Sequence, residues 1–163
     1  MAADTVLSKV LSSFERYYTI NFDSAAVPFD AEAVFHSHGE QYVLIRAAKV
    51  ADIDSHDYAF FKQVENLTSA DLAQYVQAAW KVGLSRVTPC SGHRNSDVTL
   101  VILADHVDSD TIKPIKKARL YTSYKFSLWG WSNFRLIVKD LSSGSVYHNR
   151  FAESLKKVLE HIS

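Results

Sequence analysis

Apolar positions along the chain follow two alternating periods, and the places where one gives way to the other mark the elements. Over residues 5–18, Val6, Leu7, Val10, Leu11, Phe14 and Tyr17 recur at the spacing of one helical face, with Asp4 placed as N-cap, so an amphipathic helix is expected. After a connection at residues 21–29, three apolar runs at residues 31–38, 41–50 and 58–65 are separated by a His38-Gly39-Glu40 turn and a polar stretch at residues 52–56. This predicts a three-stranded meander. Thr68 stands before a strong helical pattern carrying Leu72, Tyr75, Val76, Ala79 and Trp80, with Asp71 in a capping-box position and Gly83 as its expected end.

A loop at residues 88–95 leads into residues 98–104, an unbroken apolar and β-branched run of the kind that sits at the centre of a sheet covered on both faces. A short helix starting at Asp108 or Ser109 tolerates Pro114 in its first turn. Two strands are expected at residues 121–128 and 132–140, joined by a turn near Gly130. A Ser142-Ser143-Gly144 turn and Asn149 then introduce a last helix with Phe151, Leu155, Val158, Leu159 and Ile162 on one face. Short turns imply antiparallel neighbours, so the expected class is α+β, with a mixed, largely antiparallel sheet in αβββαβ order followed by a C-terminal hairpin and helix. At 163 residues, a single domain over residues 1–163 is expected.

This element order resembles the core of the PD-(D/E)XK, or restriction-endonuclease-like, superfamily over residues 5–105. The resemblance implies a metal-dependent nuclease with an acid on the second strand, and an acid, one residue and a lysine on the third. The third strand here reads Tyr58-Ala59-Phe60-Phe61-Lys62-Gln63-Val64-Glu65, with phenylalanine two positions before Lys62. A diverged site would draw on Asp57, Lys62 and Glu65, with Asp52 and Asp54 as further ligands for a divalent metal. The segments Ala33-Val34-Phe35-His36-Ser37 and Tyr124-Lys125-Phe126-Ser127-Leu128-Trp129-Gly130-Trp131 are similar to those of a family of uncharacterised bacterial proteins, mostly from Firmicutes, spanning nearly the whole chain. That resemblance implies no activity.

Composition narrows the picture. Apolar residues make up 47% and charged residues 22%, ordinary globular usage. No apolar run approaches the roughly 20 residues that cross a bilayer, and the first residues do not read as a signal peptide, so a cytoplasmic protein without membrane partners is expected. The one cysteine, Cys90, agrees with a reducing compartment. Cys90 and His93 share a loop, yet no orienting third group stands near them. His36 and His38 project from one strand face with Glu40 beyond, a weak metal spacing by itself. Asp52, Asp54 and Asp57 offer oxygen ligands, although Asp is also what a tight turn prefers. The five glycines are isolated, so neither a phosphate-cradling loop nor a dinucleotide fingerprint is present.

The chain is neutral overall with 18 bases and 18 acids, but residues 111–139 hold seven bases and no acid. Lys113, Lys116, Lys117, Arg119, Lys125 and Arg135 interleave with aromatic residues, including Trp129 and Trp131. Such a mixture suits nucleic acid, where bases stack on rings and phosphates pair with cations. Alternation of Tyr124, Phe126 and Leu128 is equally the pattern of a strand turning its aromatics into a core. The leading expectation is a non-catalytic binding domain that engages a polyanion or a protein partner through this stretch, without a cofactor. Trp129 and Trp131 flank Gly130, where two large rings are hard to bury together, so one is expected at a contact surface such as a homodimer interface.

Overall fold

A computed structural model describes residues 2–15, 18–22, 25–36, 54–87 and 93–162. The elements are α1 (Ala2–Glu15), β1 (Tyr18–Asn21), β2 (Ala31–His36), β3 (Asp54–Leu67), α2 (Ser69–Arg86), β4 (His93–Val107), α3 (Ile112–Lys117), β5 (Tyr121–Ser123), β6 (Trp131–Asp140), β7 (Val146–His148) and α4 (Glu153–Glu160). Short 3-10 turns precede α3 and α4. The seven strands form one mixed sheet in the order β1-β2-β3-β4-β6-β5, and β7 joins the outer edge of β6. This is the expected α+β class, with the C-terminal strands and helix present.

Parallel pairing is confined to the centre. Strands β3 and β4, and then β4 and β6, run parallel, while β1–β2, β2–β3, β5–β6 and β6–β7 are antiparallel. The short-turn argument misses these pairs because each is bridged by a helix, α2 for the first and α3 for the second, and a parallel pair needs such a crossover. β4 lies mid-sheet and is covered on both faces. Val101 and Leu103 face a core under α1 and α4 with Val10, Leu11, Ala59, Phe61 and Ile137. Val98, Leu100 and Ile102 face a second core under α2 and α3 with Phe60, Leu72, Ile115 and Phe134. A near-continuous apolar run, here residues 100–104, is what two covered faces favour.

Several expected boundaries move. The connection at residues 21–29 is preceded by the strand β1, and the polar stretch ahead of the third strand contributes residues 54–56 to β3. The expected strand at residues 41–50 lies outside the described residues, and β2 pairs directly with β3. Thr68 does cap α2, its hydroxyl accepting from the Asp71 amide at 3.2 Å. Gly83 does not end that helix, which runs to Arg86. A Cβ there would stand 2.5 and 2.7 Å from the two Val98 methyl carbons, so glycine is what lets α2 lie against β4. The strand expected at residues 121–128 stops at Ser123, for a reason described below.

Buried polar groups complete the frame. Lys139, buried in β6, donates to the Leu159 carbonyl at 2.6 Å, so its ammonium caps the end of α4, and burial holds its pKa below the ordinary lysine value. For Asp140, burial works upward. Hydrogen bonds from the Ser142 hydroxyl and from the amides of Ser143, Val107 and Ser142 outweigh it, and they hold the carboxyl below its usual value.

Candidate functional site

Two features at one end of the sheet carry chemistry: a buried polar cluster under α1 and α4, and the tip of the β5–β6 hairpin. The cluster follows from register. Asp57 lies opposite Asp97 across β3 and β4, and Ala59 opposite Thr99, which in turn faces Arg135 on β6. Because side chains alternate along each strand, all of these lie on one face. Tyr18 enters from β1, whose pairing with β2 sets it opposite Phe35.

Asp57 is enclosed by donors. Its Oδ2 accepts from the Tyr18 hydroxyl at 2.5 Å and from Arg135 Nη1 at 3.1 Å, and its Oδ1 accepts from the Thr99 hydroxyl at 2.8 Å. Arg135 spends its other donors on the Phe151 carbonyl at 3.2 Å and the Ser154 hydroxyl at 2.9 Å, so the guanidinium also ties the start of α4 to the sheet. Burial, the Asp57 charge and the hydrogen bond to it push the Tyr18 phenol well above its ordinary pKa, so it stays protonated and donates to Asp57.

Asp97 is the exception. Its carboxylate accepts from the Asn95 side chain and the Asn133 amide, but Oδ1 is buried with no hydrogen-bond partner among the described residues. Burial first, and the Asp57 charge second, push its pKa up to about 6 against the opposing pull of Arg135. With both carboxylates ionised, two negative charges face one guanidinium. A proton on Asp97 restores balance.

The sign of the resulting pH dependence is fixed. A carboxyl whose folded pKa lies above its unfolded value favours the fold at pH below the unfolded value, and that contribution is lost as pH rises through about 6. Asp97→Asn is therefore expected to raise stability at pH 7.5 by about 1–3 kcal/mol and to flatten the loss between pH 4 and 6. Urea unfolding at pH 5 and 7.5 reads both effects. An unchanged pH slope in the variant would assign the titration elsewhere.

On the opposite face, buried Glu32 takes both Nη atoms of Arg86 together with the Ala26 amide, and the guanidinium lies 5.5 Å from the Phe60 ring centre. This pair locks the end of α2 to β2.

The structure separates the residues of the nuclease-like reading. Asp57 lies inside the polar cluster, while Lys62 points to the other face, with its ammonium 3.7 Å from Asp30 and 5.8 Å from the Tyr75 ring centre. Glu65 is exposed near the far end of β3. Among the described residues no three His, Cys, Asp or Glu side chains group as metal ligands. Asp52, His38 and Cys90 lie outside the described residues, and the side chains of His36, Asp54 and His93 are likewise not described.

The basic stretch also divides. Lys113, Lys116, Lys117, Arg119 and Lys125 are exposed, but Arg135 is turned inward onto Asp57. Between β5 and β6, Lys125, Phe126 and Ser127 take left-handed conformations in succession, with φ of 45°, 54° and 68°. Hydrogen bonds from the Leu128 amide to the Lys125 carbonyl at 3.0 Å, the Trp129 amide to the Tyr124 carbonyl at 3.1 Å and the Tyr124 amide to the Gly130 carbonyl at 2.9 Å close the tip. The alternation of Tyr124, Phe126 and Leu128 is thus no strand: Phe126 is 98% and Leu128 77% exposed. Lys125 lays its ammonium 3.8 Å over the Trp129 ring centre, and Trp129 and Trp131 are both half-buried.

A family model described as a domain of unknown function, DUF8052, matches residues 2–161. The chain belongs to this family. No curated protein and no solved structure matches it. For this DUF8052 chain, then, chemistry has to be argued from its own side chains. Sequence reasoning passed over Tyr18, Asp97 and Thr99. The available sign was the polar pair Asp97 and Thr99 at alternate positions where the otherwise apolar central strand begins.

Proposed function

We propose that the chain is a non-catalytic binding domain that takes an anionic partner through the exposed cations of α3 and the segment after it, the edge strand β5 and the β5–β6 hairpin tip. The observation that carries this reading is the tip. Three successive non-glycine residues in left-handed conformations cost roughly 1–2 kcal/mol each, and the result holds Phe126 and Leu128 out of the core. Lys125 lies within the tip itself, and the exposed Lys113, Lys116, Lys117 and Arg119 precede it in a stretch with no acid. The inward Arg135 belongs to the internal cluster instead. The setting is cytoplasmic, in line with the single cysteine, and the reading calls for no cofactor. The dispersal of Asp57, Lys62 and Glu65 lends no support to nuclease chemistry.

Fluorescence anisotropy with a labelled single-stranded oligonucleotide as a generic polyanion, at low and moderate salt, tests the edge. Affinity is expected to fall steeply with salt, and the triple variant Lys116→Glu, Lys117→Glu, Arg119→Glu is expected to lower both affinity and salt slope. Binding that ignores the charge reversal would remove the proposal.

A further inference from the structure

We infer that the anionic partner is a lipid surface, which the hairpin tip enters with Phe126 and Leu128 while Lys125 beside them lies among the headgroups. This rests on the anionic-partner reading of the same edge. A bilayer suits the tip better than a folded protein, because it supplies apolar depth to Phe126 and Leu128 without a preformed pocket, and these two exposed side chains alone fall far short of the roughly 800 Å² that each partner buries in a standard interface. Chemistry decides against nucleic acid. Leu128, 77% exposed, has no π-face to stack on a base, so half of the exposed apolar pair would be idle against nucleic acid.

The remaining features match a membrane interface. Lys125 and Trp129 stack at the base of the tip, placing an amphipathic ring and a cation where headgroups would lie, and Tyr121 on the adjoining edge strand is 55% exposed. Lys113, Lys116, Lys117 and Arg119 extend the positive charge along the same chain segment, and an anionic leaflet attracts such a cluster. No described helix is long and apolar enough to cross a membrane. Contact would therefore be peripheral, with shallow insertion and electrostatic attraction both required, since neither alone anchors stably.

Co-sedimentation with phosphatidylcholine vesicles, with and without phosphatidylglycerol, is the test, run beside oligonucleotide anisotropy. The full chain is expected to bind only the anionic vesicles, less well at high salt, with its tryptophan emission quenched by brominated lipid and that quenching reduced in Trp129→Phe. Phe126→Ser with Leu128→Ser is expected to weaken vesicle binding at least about tenfold while leaving oligonucleotide binding intact. These substitutions replace exposed side chains, and unchanged thermal melting would show the fold intact. The charge-reversal triple should weaken both. Oligonucleotide binding without vesicle binding, or vesicle binding indifferent to the tip variants, overturns the lipid inference and leaves the anionic-edge reading standing. Binding to neither probe overturns both.

Discussion

Replacing Arg135 by methionine is expected to destabilise the fold by about 3–5 kcal/mol at pH 7.5, among the largest losses any single substitution here should cause. The guanidinium is the only cation within the described polar cluster, and it meets Asp57 at 3.1 Å with both partners largely buried. Methionine keeps most of the volume but leaves Asp57 and Asp97 as uncompensated charges, and it withdraws donors from the Phe151 carbonyl and the Ser154 hydroxyl. Lysine should rescue little, since one ammonium cannot serve those partners in the planar fork geometry. Native domains hold about 5–15 kcal/mol in total, so the variant is expected to be marginal at neutral pH. Acidification should restore part of the loss, because a proton on Asp97 does some of the work of the missing cation. Urea unfolding of the wild type, Arg135→Met and Arg135→Met with Asp97→Asn reads this directly, and a loss under about 1 kcal/mol without pH rescue would refute the account.

That cluster also shows where sequence reasoning stops. Asp57 and Arg135 are 78 residues apart and are brought together only because β4 stands between β3 and β6 with both pairs parallel. Nothing local announces such a register. Read alone, Asp57 looks like part of an acidic turn and Arg135 like one more member of a basic stretch. The central strand was legible for the opposite reason. Two covered faces favour apolar side chains over residues 98–104, where Thr99 alone is polar, and that preference is written in the residues themselves. Thr68 was equally legible, since capping is a contact over three residues.

Short elements carried too little pattern. β1 has four residues and β7 three, no more than two full alternations each. Residues 124–128 carried a misleading pattern, because apolar residues at every second position fit a strand and an exposed left-handed tip alike. Only backbone conformation separates the two, and no local composition rule forces Lys125, Phe126 and Ser127 into the left-handed region. The lapse of periodicity there is thus more informative than its presence elsewhere. Local rules that fail without an evident structural gain tend to fail at sites with another use.

Asn149→Ala is expected to cost about 3–5 kcal/mol, because this one side chain completes the outer edge of β6. β5 pairs with β6 as far as Asn133, and β7 takes up the pairing at Ile137, which leaves Phe134 to Leu136 without a strand on the side away from β4. Asn149, fully buried, fills that gap. Its Oδ1 accepts from the Leu136 amide at 3.0 Å, its Nδ2 donates to the Phe134 carbonyl at 2.8 Å and the Ala118 carbonyl at 3.0 Å, and its own amide donates to the Leu136 carbonyl at 2.9 Å. Truncation to alanine keeps the last bond and orphans three backbone groups at once, two of them buried and costing about 1–3 kcal/mol each when left unsatisfied. Aspartate should be worse still at neutral pH, since an acceptor-only carboxylate would face two carbonyls, and it should recover partly in acid when one oxygen becomes a donor. Thermal melting gives the loss, and amide exchange locates it. The Leu136 amide should lose protection ahead of its neighbours in β6, and full protection there together with a loss under about 1 kcal/mol would show that water replaces the side chain without cost.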